Sequence, residues 1–246
     1  MPFPLAHPAA VLPLRRFCPR LLSFPALVIG SLCPDAGYCF GEIGGLSHTA
    51  LGSFVFCLPL GLLMLAVVYG LRFRAVNLLA PRYRQAFLPL CQRPAAPFLV
   101  LLISVFLGVW THLLWDSFTH TTGWLVQWFP VLQSSVTVYA GHNARICHLL
   151  WYACSFVGVV FVFLAFDQWR RAACGLTGVS GKPSLRNALL IGILLLPIEL
   201  AHHLFRGWLG LCFFAFLCLL LVAGIVLKMT VPQRAFSSSD PAIPPR

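Results

Sequence analysis

Residues 51–71 read LGSFVFCLPLGLLMLAVVYGL, a run without a charged side chain. A helix of about 20 apolar residues is long enough to cross the roughly 30 Å hydrocarbon core of a bilayer. Four more runs of similar length and character follow along the chain, at 97–115, 148–166, 187–204 and 208–228. The sequence therefore predicts an all-α fold, a polytopic transmembrane helical bundle.

The composition of the whole chain agrees with this fold class. Of the 246 residues, 59% are hydrophobic and only 9% are charged, and the mean hydropathy is +0.87. A soluble domain of this length could not bury so much apolar surface. A shorter apolar run at 21–33 predicts a half-crossing or re-entrant element, which brings the expected total to about five or six membrane segments.

The apolar runs recur with only short polar breaks, so we expect a single membrane-embedded helical domain over residues 1–232. Residues 233–246 are rich in Ser and Pro and have no apolar period. Such a composition is typical of disorder, and we expect a disordered tail.

The distribution of charge predicts the topology. The chain carries 17 basic and 6 acidic residues, a net charge of +11. The basic residues lie between the apolar runs and not along one helix face, which argues against a nucleic-acid partner and for membrane lipid. The arginine-rich connections at 72–96 and 167–186, and the tail, should be cytoplasmic; segments 34–50 and 116–147 should then face outward.

Two acidic residues, Asp35 and Asp116, lie at predicted membrane boundaries. An ionisable group at such a position costs free energy unless it is paired, hydrated or bound to a metal. His112 precedes Asp116 by four residues, and His120 follows it by four. The spacing places imidazole and carboxylate on one helix face, where both can reach one metal ion. A hydrogen bond between the two residues would satisfy them without a metal, and for the pair alone this is the more economical interpretation.

The predicted topology adds two residues to the same side of the membrane, Asp35 and His48. Together with His112 and Asp116 they offer two carboxylates and two imidazoles, a set that suits zinc or a comparable divalent cation with an open position for water. Such a metal acidifies its bound water to a hydroxide nucleophile near neutral pH. Asp35 or Asp116 would serve as the catalytic base.

Several short motifs resemble a known family. The motifs are MPFPLAHP at 1–8, IGSLCPD at 29–35, Ser47-His48, and HLLWDSFTHTTGW at 112–124. They are similar to an uncharacterised bacterial membrane-protein family, a domain of unknown function, over about the first two-thirds of the chain. The resemblance implies a multi-pass protein of the bacterial inner membrane with a cytoplasmic C-terminus.

The order of histidines and aspartates is also distantly similar to that of zinc-dependent phospholipase C, the fungal single-strand nucleases and membrane-bound metal-dependent hydrolases. Carried over, this resemblance implies a first metal held by Asp35, His48, His112 and Asp116. It implies a second metal on His7 with Asp116, and a third on His120.

The chain departs from that pattern in its later part. In those enzymes a further histidine and a carboxylate four residues later complete the third site. Here the residue four positions after His142 is Ile146, and the residue four positions after His148 is Tyr152. The sequence therefore supports one or two metals. His7 reaches the outer side only if the N-terminal stretch folds back as a hairpin.

Three functions follow from these observations. The first is a divalent-metal site, which its donor set predicts to hold zinc, at the extracytoplasmic face of a phosphoester hydrolase that acts on lipid or another membrane-proximal substrate. The second is a transporter, or a proton or cation relay, built from the same residues. The third is a non-catalytic scaffold in which the motif is a stabilising polar network.

Overall fold

The computed structural model describes residues 4–40, 43–79, 81–139, 142–173 and 189. This part of the chain is mostly helical, as the sequence predicts. The predicted runs at 187–204 and 208–228 and the predicted tail at 233–246 lie outside the described residues, apart from residue 189. The prediction of five or six membrane segments therefore stays a prediction.

The described α-helices differ widely in length. In chain order they are α1 (Pro8–Val11), α2 (Phe24–Ala36), α3 (Ile43–Ser47), α4 (Ala50–Gly52), α5 (Leu58–Leu78), α6 (Pro81–Cys91), α7 (Phe98–Thr119), α8 (Trp124–Trp128) and α9 (Ile146–Ala173). Short 3-10 turns occupy Pro4–Ala6, Leu12–Phe17, Gly37–Phe40 and Pro130–Gln133, and a π-helical turn at Ser53–Cys57 joins α4 to α5.

Three helical stretches are long and apolar enough to cross a membrane: Ala50–Leu78, Phe98–Trp128 and Ile146–Ala173. They correspond to the first three predicted runs and extend beyond them. Helix α5 continues past Arg72 and Arg74, and α9 continues through Arg170 and Arg171. Arginine is a good helix former, and its long side chain lets the charge reach water beyond an apolar segment. The connections predicted at 72–96 and 167–186 are therefore partly helical.

The N-terminal segment and α2 form a hairpin. Helix α2 has 13 residues, about 20 Å, and is too short to cross a bilayer. At its start the Ser23 N–H donates to Ser104 Oγ of α7 at 2.9 Å; at its end Asp35 lies beside His7. Val11 of α1 packs with Leu22 and Leu27 in one buried cluster. The N-terminal stretch thus runs back along α2 and carries His7 to the Asp35 end.

Small residues allow α2 to pack closely on α7. A Cβ on Gly30 would collide with the backbone of Val105, and one on Gly108 would collide with the backbone of Leu27. Close approach of two backbones at glycine is a common way for membrane helices to associate. The contact sets the register that brings Asp35 level with the last turns of α7.

The connection between α7 and α9 contains the two described strands. Strand β1 (Ser135–Tyr139) pairs antiparallel with β2 (His142–Arg145), and Thr137 Oγ1 donates to Asn143 Oδ1 across the pair at 2.9 Å. The prediction of a helical fold is thus confirmed for most of the described chain, and this short hairpin is an addition to it. Valine, threonine and tyrosine, which favour extended backbone, alternate or adjoin in β1.

Candidate metal centre

Residues from three separate segments meet at one end of the helix pair α2 and α7. Asp35 lies in the last turn of α2, His48 follows α3, and His112 and Asp116 lie in the last turns of α7. His112 is fully buried, and both aspartates are 8% exposed. The four residues that the sequence assigned to a first metal therefore lie together, three of them buried and His48 partly exposed.

The distances between their ligand atoms fall in a narrow range. His112 Nε2 lies 3.4 Å from Asp35 Oδ1 and 3.3 Å from Asp116 Oδ2. His48 Nε2 lies 3.5 Å and 3.6 Å from the same two oxygens. A tetrahedron with metal–ligand bonds of about 2.0–2.2 Å has edges of about 3.3–3.6 Å. The four N···O distances thus match the edges of such a tetrahedron.

Hydrogen bonds to the backbone fix the tautomers of both histidines. His112 Nδ1 lies 2.8 Å from the Ser31 carbonyl oxygen, and His48 Nδ1 lies 2.8 Å from that of Gly44. A carbonyl oxygen only accepts, so each Nδ1 must carry the hydrogen that it donates. In a neutral ring the Nε2 atom then presents a lone pair, the form in which histidine binds a metal.

Ser47 supports the position of His48. Its hydroxyl lies 2.8 Å from the Pro34 carbonyl oxygen and 2.9 Å from that of Gly44, and 3.1 Å from His48 Nδ1. Because Pro34 immediately precedes Asp35, this side chain connects the segment that carries one imidazole to the helix that carries one carboxylate.

Many buried side-chain atoms of the site have no hydrogen-bond partner among the described residues. They are both oxygens of Asp35 and of Asp116, both ring nitrogens of His7, and Nε2 of His48, His112 and His120. Unpaired buried carboxylates and unpaired buried ring nitrogens are both costly. A cation between these atoms would remove both penalties.

His7 completes the cluster from the N-terminal hairpin. The residue is fully buried, and its Nε2 lies 3.8 Å from Asp35 Oδ2 and 3.8 Å from Asp116 Oδ1. Its ring stacks on His112 at a centroid distance of 3.6 Å. His7 lies outside the three spans, and burial, with the neighbouring His112, lowers the pKa of its imidazole to about 3. The ring is therefore a neutral donor.

His120 lies at the edge of the site. Its Nδ1 is 3.2 Å from the Asp116 carbonyl oxygen and 3.1 Å from Thr119 Oγ1, and 3.7 Å from Asp116 Oδ1. In the described chain, two groups of three residues bring ligand atoms within 4.8 Å of one another: His7, Asp35 and His112, and His48, His112 and Asp116. His120 belongs to neither, and its role as a ligand of a third metal stays a prediction.

A family profile matches residues 1–231, and its description is "Domain of unknown function (DUF4184)". The chain belongs to the DUF4184 family. The match extends well beyond the first two-thirds to which the motifs pointed, and it contains all six candidate residues. Neither the curated proteins nor the solved structures compared with this DUF4184 chain gave a match.

The remaining histidines of this DUF4184 protein that the structure describes stand apart from the site. His142 begins strand β2. His148 is exposed on α9 and belongs to neither group of close ligand atoms.

Sequence analysis did not identify the groups that orient the imidazoles of the DUF4184 site. The acceptors at Ser31 and Gly44 are backbone carbonyls, which leave no signature in a sequence. Tyr38, whose ring lies 4.9 Å from that of His48 and which is 42% exposed, was also missed. Tyr38 lies three residues after Asp35, in the 3-10 turn that follows α2, and this short separation was the available signal.

Proposed function

We propose that this DUF4184 protein is an integral membrane hydrolase with a divalent-metal site at its extracytoplasmic face, and that it cleaves phosphoester bonds in lipid or in another membrane-proximal substrate. One observation carries the proposal: two buried carboxylates and three imidazoles bring their unpaired ligand atoms together in one cluster. Zinc is the metal that best suits two imidazoles and two carboxylates at tetrahedral spacing.

The location of the site follows from charge and helix length. Helix α7 begins at Phe98, directly after the arginine-rich connection that should be cytoplasmic. His112 and Asp116 lie about 21 Å and 27 Å further along the helix axis. The site would therefore lie near the opposite, extracytoplasmic boundary, at the depth of lipid headgroups.

A cation at this position would supply hydrolytic chemistry. It would lower the pKa of a bound water and polarise a phosphoryl oxygen. Asp35 or Asp116 would accept the proton of that water. The choice of a phosphoester rests on the resemblance of the His and Asp order to zinc-dependent phospholipase C and the single-strand nucleases.

The distribution of buried charge favours an enzyme over a transporter. A cation or proton pathway needs ionisable groups at several depths. In the described helices the buried carboxylates and imidazoles are those of the site, together with Asp167 near the other end of α9. Asp167 is already paired, at 2.6 Å with Arg170 and 2.8 Å with Arg171. Within the described helices, the buried ionisable residues are therefore concentrated at one end, with a separate ion-pair cluster near the end of α9.

The first test is the metal content of detergent-purified protein, measured by mass spectrometry after metal-free handling and reconstitution with zinc. We expect stoichiometric metal in the wild type and its loss in the Asp35→Asn plus Asp116→Asn double variant. Asp167→Asn is the matched control, because it also removes a buried carboxylate and should keep the metal.

The second test is hydrolysis. The zinc-loaded protein is incubated with bis(p-nitrophenyl) phosphate and with phospholipid vesicles, and released nitrophenol and phosphate-containing products are quantified. Turnover that is absent from the double variant supports the proposal. Stoichiometric metal without turnover of any phosphodiester would reject the hydrolase, and uptake of the cation into liposomes would then favour the transporter.

A further inference from the structure

A cluster of arginines lies at the end of α5 that is remote from the metal centre. Cys57, directly before α5, contacts the Ser47 carbonyl oxygen beside the centre, with its Sγ 3.3 Å away. Arg72 lies about 22 Å further along the helix axis. Residues 72–96 carry five arginines and no acidic residue. The members of this arginine cluster whose side chains the structure describes are Arg72, Arg74, Arg84 and Arg93.

Helix α6 folds back along the last turns of α5 and gives the arginine cluster a fixed shape. At the end of α6, Cys91 Sγ lies 3.8 Å from the Arg72 carbonyl oxygen. Near the start of α6, Arg84 Nη2 donates to the Asn77 carbonyl oxygen at 2.7 Å. The two helices therefore form a hairpin, and the arginines lie on a packed surface.

Arg72 and Arg93 are neighbours across this hairpin. Arg72 Nη1 donates to the Arg93 carbonyl oxygen at 3.3 Å. The central carbon of the Arg72 guanidinium group lies 5.0 Å from the ring centroid of Tyr69 and 5.1 Å from that of Phe73, distances at which cation–π attraction holds the group in place. Its Nε atom is buried and has no hydrogen-bond partner among the described residues. These contacts fix the position of the charge but do not neutralise it.

The arginine cluster has no anionic partner within the described part of the chain. The aspartate near the same end of α9, Asp167, is already engaged by Arg170 and Arg171. Phe73 follows Arg72 directly and is 43% exposed. Uncompensated arginines beside an exposed apolar ring, at the end of a membrane-crossing helix, suit a ligand that has an anionic headgroup and hydrocarbon chains.

We propose that Arg72, Arg93 and Phe73 form a binding site for an anionic phospholipid, with its phosphate on the two guanidinium groups and an acyl chain along Phe73. Guanidinium groups bind phosphate oxygens through charge-assisted hydrogen bonds. The nearby charges of Arg74 and Arg84 repel the cationic group of a zwitterionic lipid, so the site selects lipids with a net negative charge. The lipid is a ligand and not a substrate, because the metal centre is about 22 Å away.

The experiment measures lipid binding to the purified full-length protein in neutral detergent. Chelator is present throughout, so that no lipid is held through a metal ion. The protein is titrated with dioleoyl phosphatidylglycerol or with dioleoyl phosphatidylcholine, and bound lipid is counted by native mass spectrometry. We expect one phosphatidylglycerol molecule to bind more tightly than phosphatidylcholine.

Two matched double variants locate the binding site. Arg72→Gln plus Arg93→Gln should weaken phosphatidylglycerol binding about 30-fold. Arg15→Gln plus Arg16→Gln removes the same charge from two other exposed arginines and should leave the affinity unchanged. Arg93→Gln alone keeps the backbone carbonyl that accepts from Arg72, and its expected loss of about fivefold tests the site if the first double variant fails to fold.

Three results would overturn the proposal. Equal affinity for the two lipids would remove the selectivity on which it depends. An equal loss of affinity in the two double variants would mean that the protein attracts anionic lipid through its overall charge and not at one site. Displacement of the lipid by inorganic phosphate at millimolar concentration would assign the arginines to a soluble anion. None of these results depends on metal binding or hydrolysis, so the proposed function is tested separately.

Discussion

The imidazole of His7 stacks on that of His112, with ring centroids 3.6 Å apart, and both rings turn Nε2 toward Asp35 and Asp116. One ring comes from the N-terminal segment and the other from the interior of α7. The site therefore forms only when the N-terminal hairpin is seated against α7, and changes to that packing should alter metal binding from a distance.

Replacement of Gly108 by leucine should disrupt the site without touching it. A side chain there would collide with the Leu27 carbonyl and the Ser31 backbone on α2, and Ser31 also holds His112. Overpacking of this kind costs about 1–3 kcal/mol. We expect Gly108→Leu to lower the melting temperature in detergent and to lose most of the bound metal, as measured by scanning fluorimetry and mass spectrometry.

Gly70→Leu is the matched control for this substitution, since a Cβ there meets no described atom within 4 Å. It should change neither property. Equal metal content in the two variants would contradict the dependence of the site on the contact between α2 and α7.

Ser47→Ala should weaken metal binding while preserving its stoichiometry. The Ser47 hydroxyl contacts the Pro34 carbonyl and His48 Nδ1, and loss of a group that orients a ligand typically reduces metal affinity about 10–100-fold. Competition with a fluorescent chelator measures the change. Ser53→Ala removes another buried hydroxyl, bonded within its own helix to Ala50, and the idea fails if the two variants lose affinity equally.

Removal of the metal should reverse the order of stability between the wild type and Asp35→Asn. In the stripped wild type, two buried carboxylates have no hydrogen-bond partner among the described residues, whereas an asparagine at position 35 leaves one buried charge fewer and adds an amide that can donate a hydrogen bond. Neutralising a buried charge that lacks a partner stabilises a protein by about 1 kcal/mol or more. We expect Asp35→Asn to melt above the wild type in chelator and below it in saturating zinc.

Asp167→Asn supplies the comparison for the stripped state. This aspartate is paired with Arg170 and Arg171, so its neutralisation should lower the melting temperature with or without zinc. If Asp35→Asn behaves in the same way as Asp167→Asn in both conditions, the cluster is a stabilising polar network and the scaffold interpretation gains support.

The orientation of the site can be tested by labelling from one side of the membrane. Gln127 is exposed in α8, near the site end of α7, and Gln92 is exposed near the arginine-rich connection. A membrane-impermeant maleimide added to intact cells should label Gln127→Cys above the background of the parent chain. Gln92→Cys should react only after permeabilisation, and the opposite pattern would place the site on the cytoplasmic side.

The predicted apolar runs match three helices of the structure that are long and apolar enough to cross a membrane. Residues 51–71, 97–115 and 148–166 carry enough consecutive apolar side chains to predict a crossing helix without knowledge of their neighbours. The pairing of His112 with Asp116 is equally local, because four residues make one turn. The ends of the helices and the short β-hairpin were harder to predict from the sequence. An arginine side chain can extend to water and so does not end a helix, and strand formation depends on pairing with a neighbouring strand.

The sequence by itself determined that this chain is built of apolar helices, and it named the histidines and aspartates of the site, because helix formation and membrane crossing depend on residues close together in the chain. Only the tertiary structure decided that His7 reaches Asp35, that the carbonyls of Ser31 and Gly44 orient two imidazoles, and that each carboxylate faces two sets of ligands. Those relationships depend on the close approach of α2 and α7 at glycine and on the packing of the N-terminal hairpin, which are contacts between residues far apart in sequence.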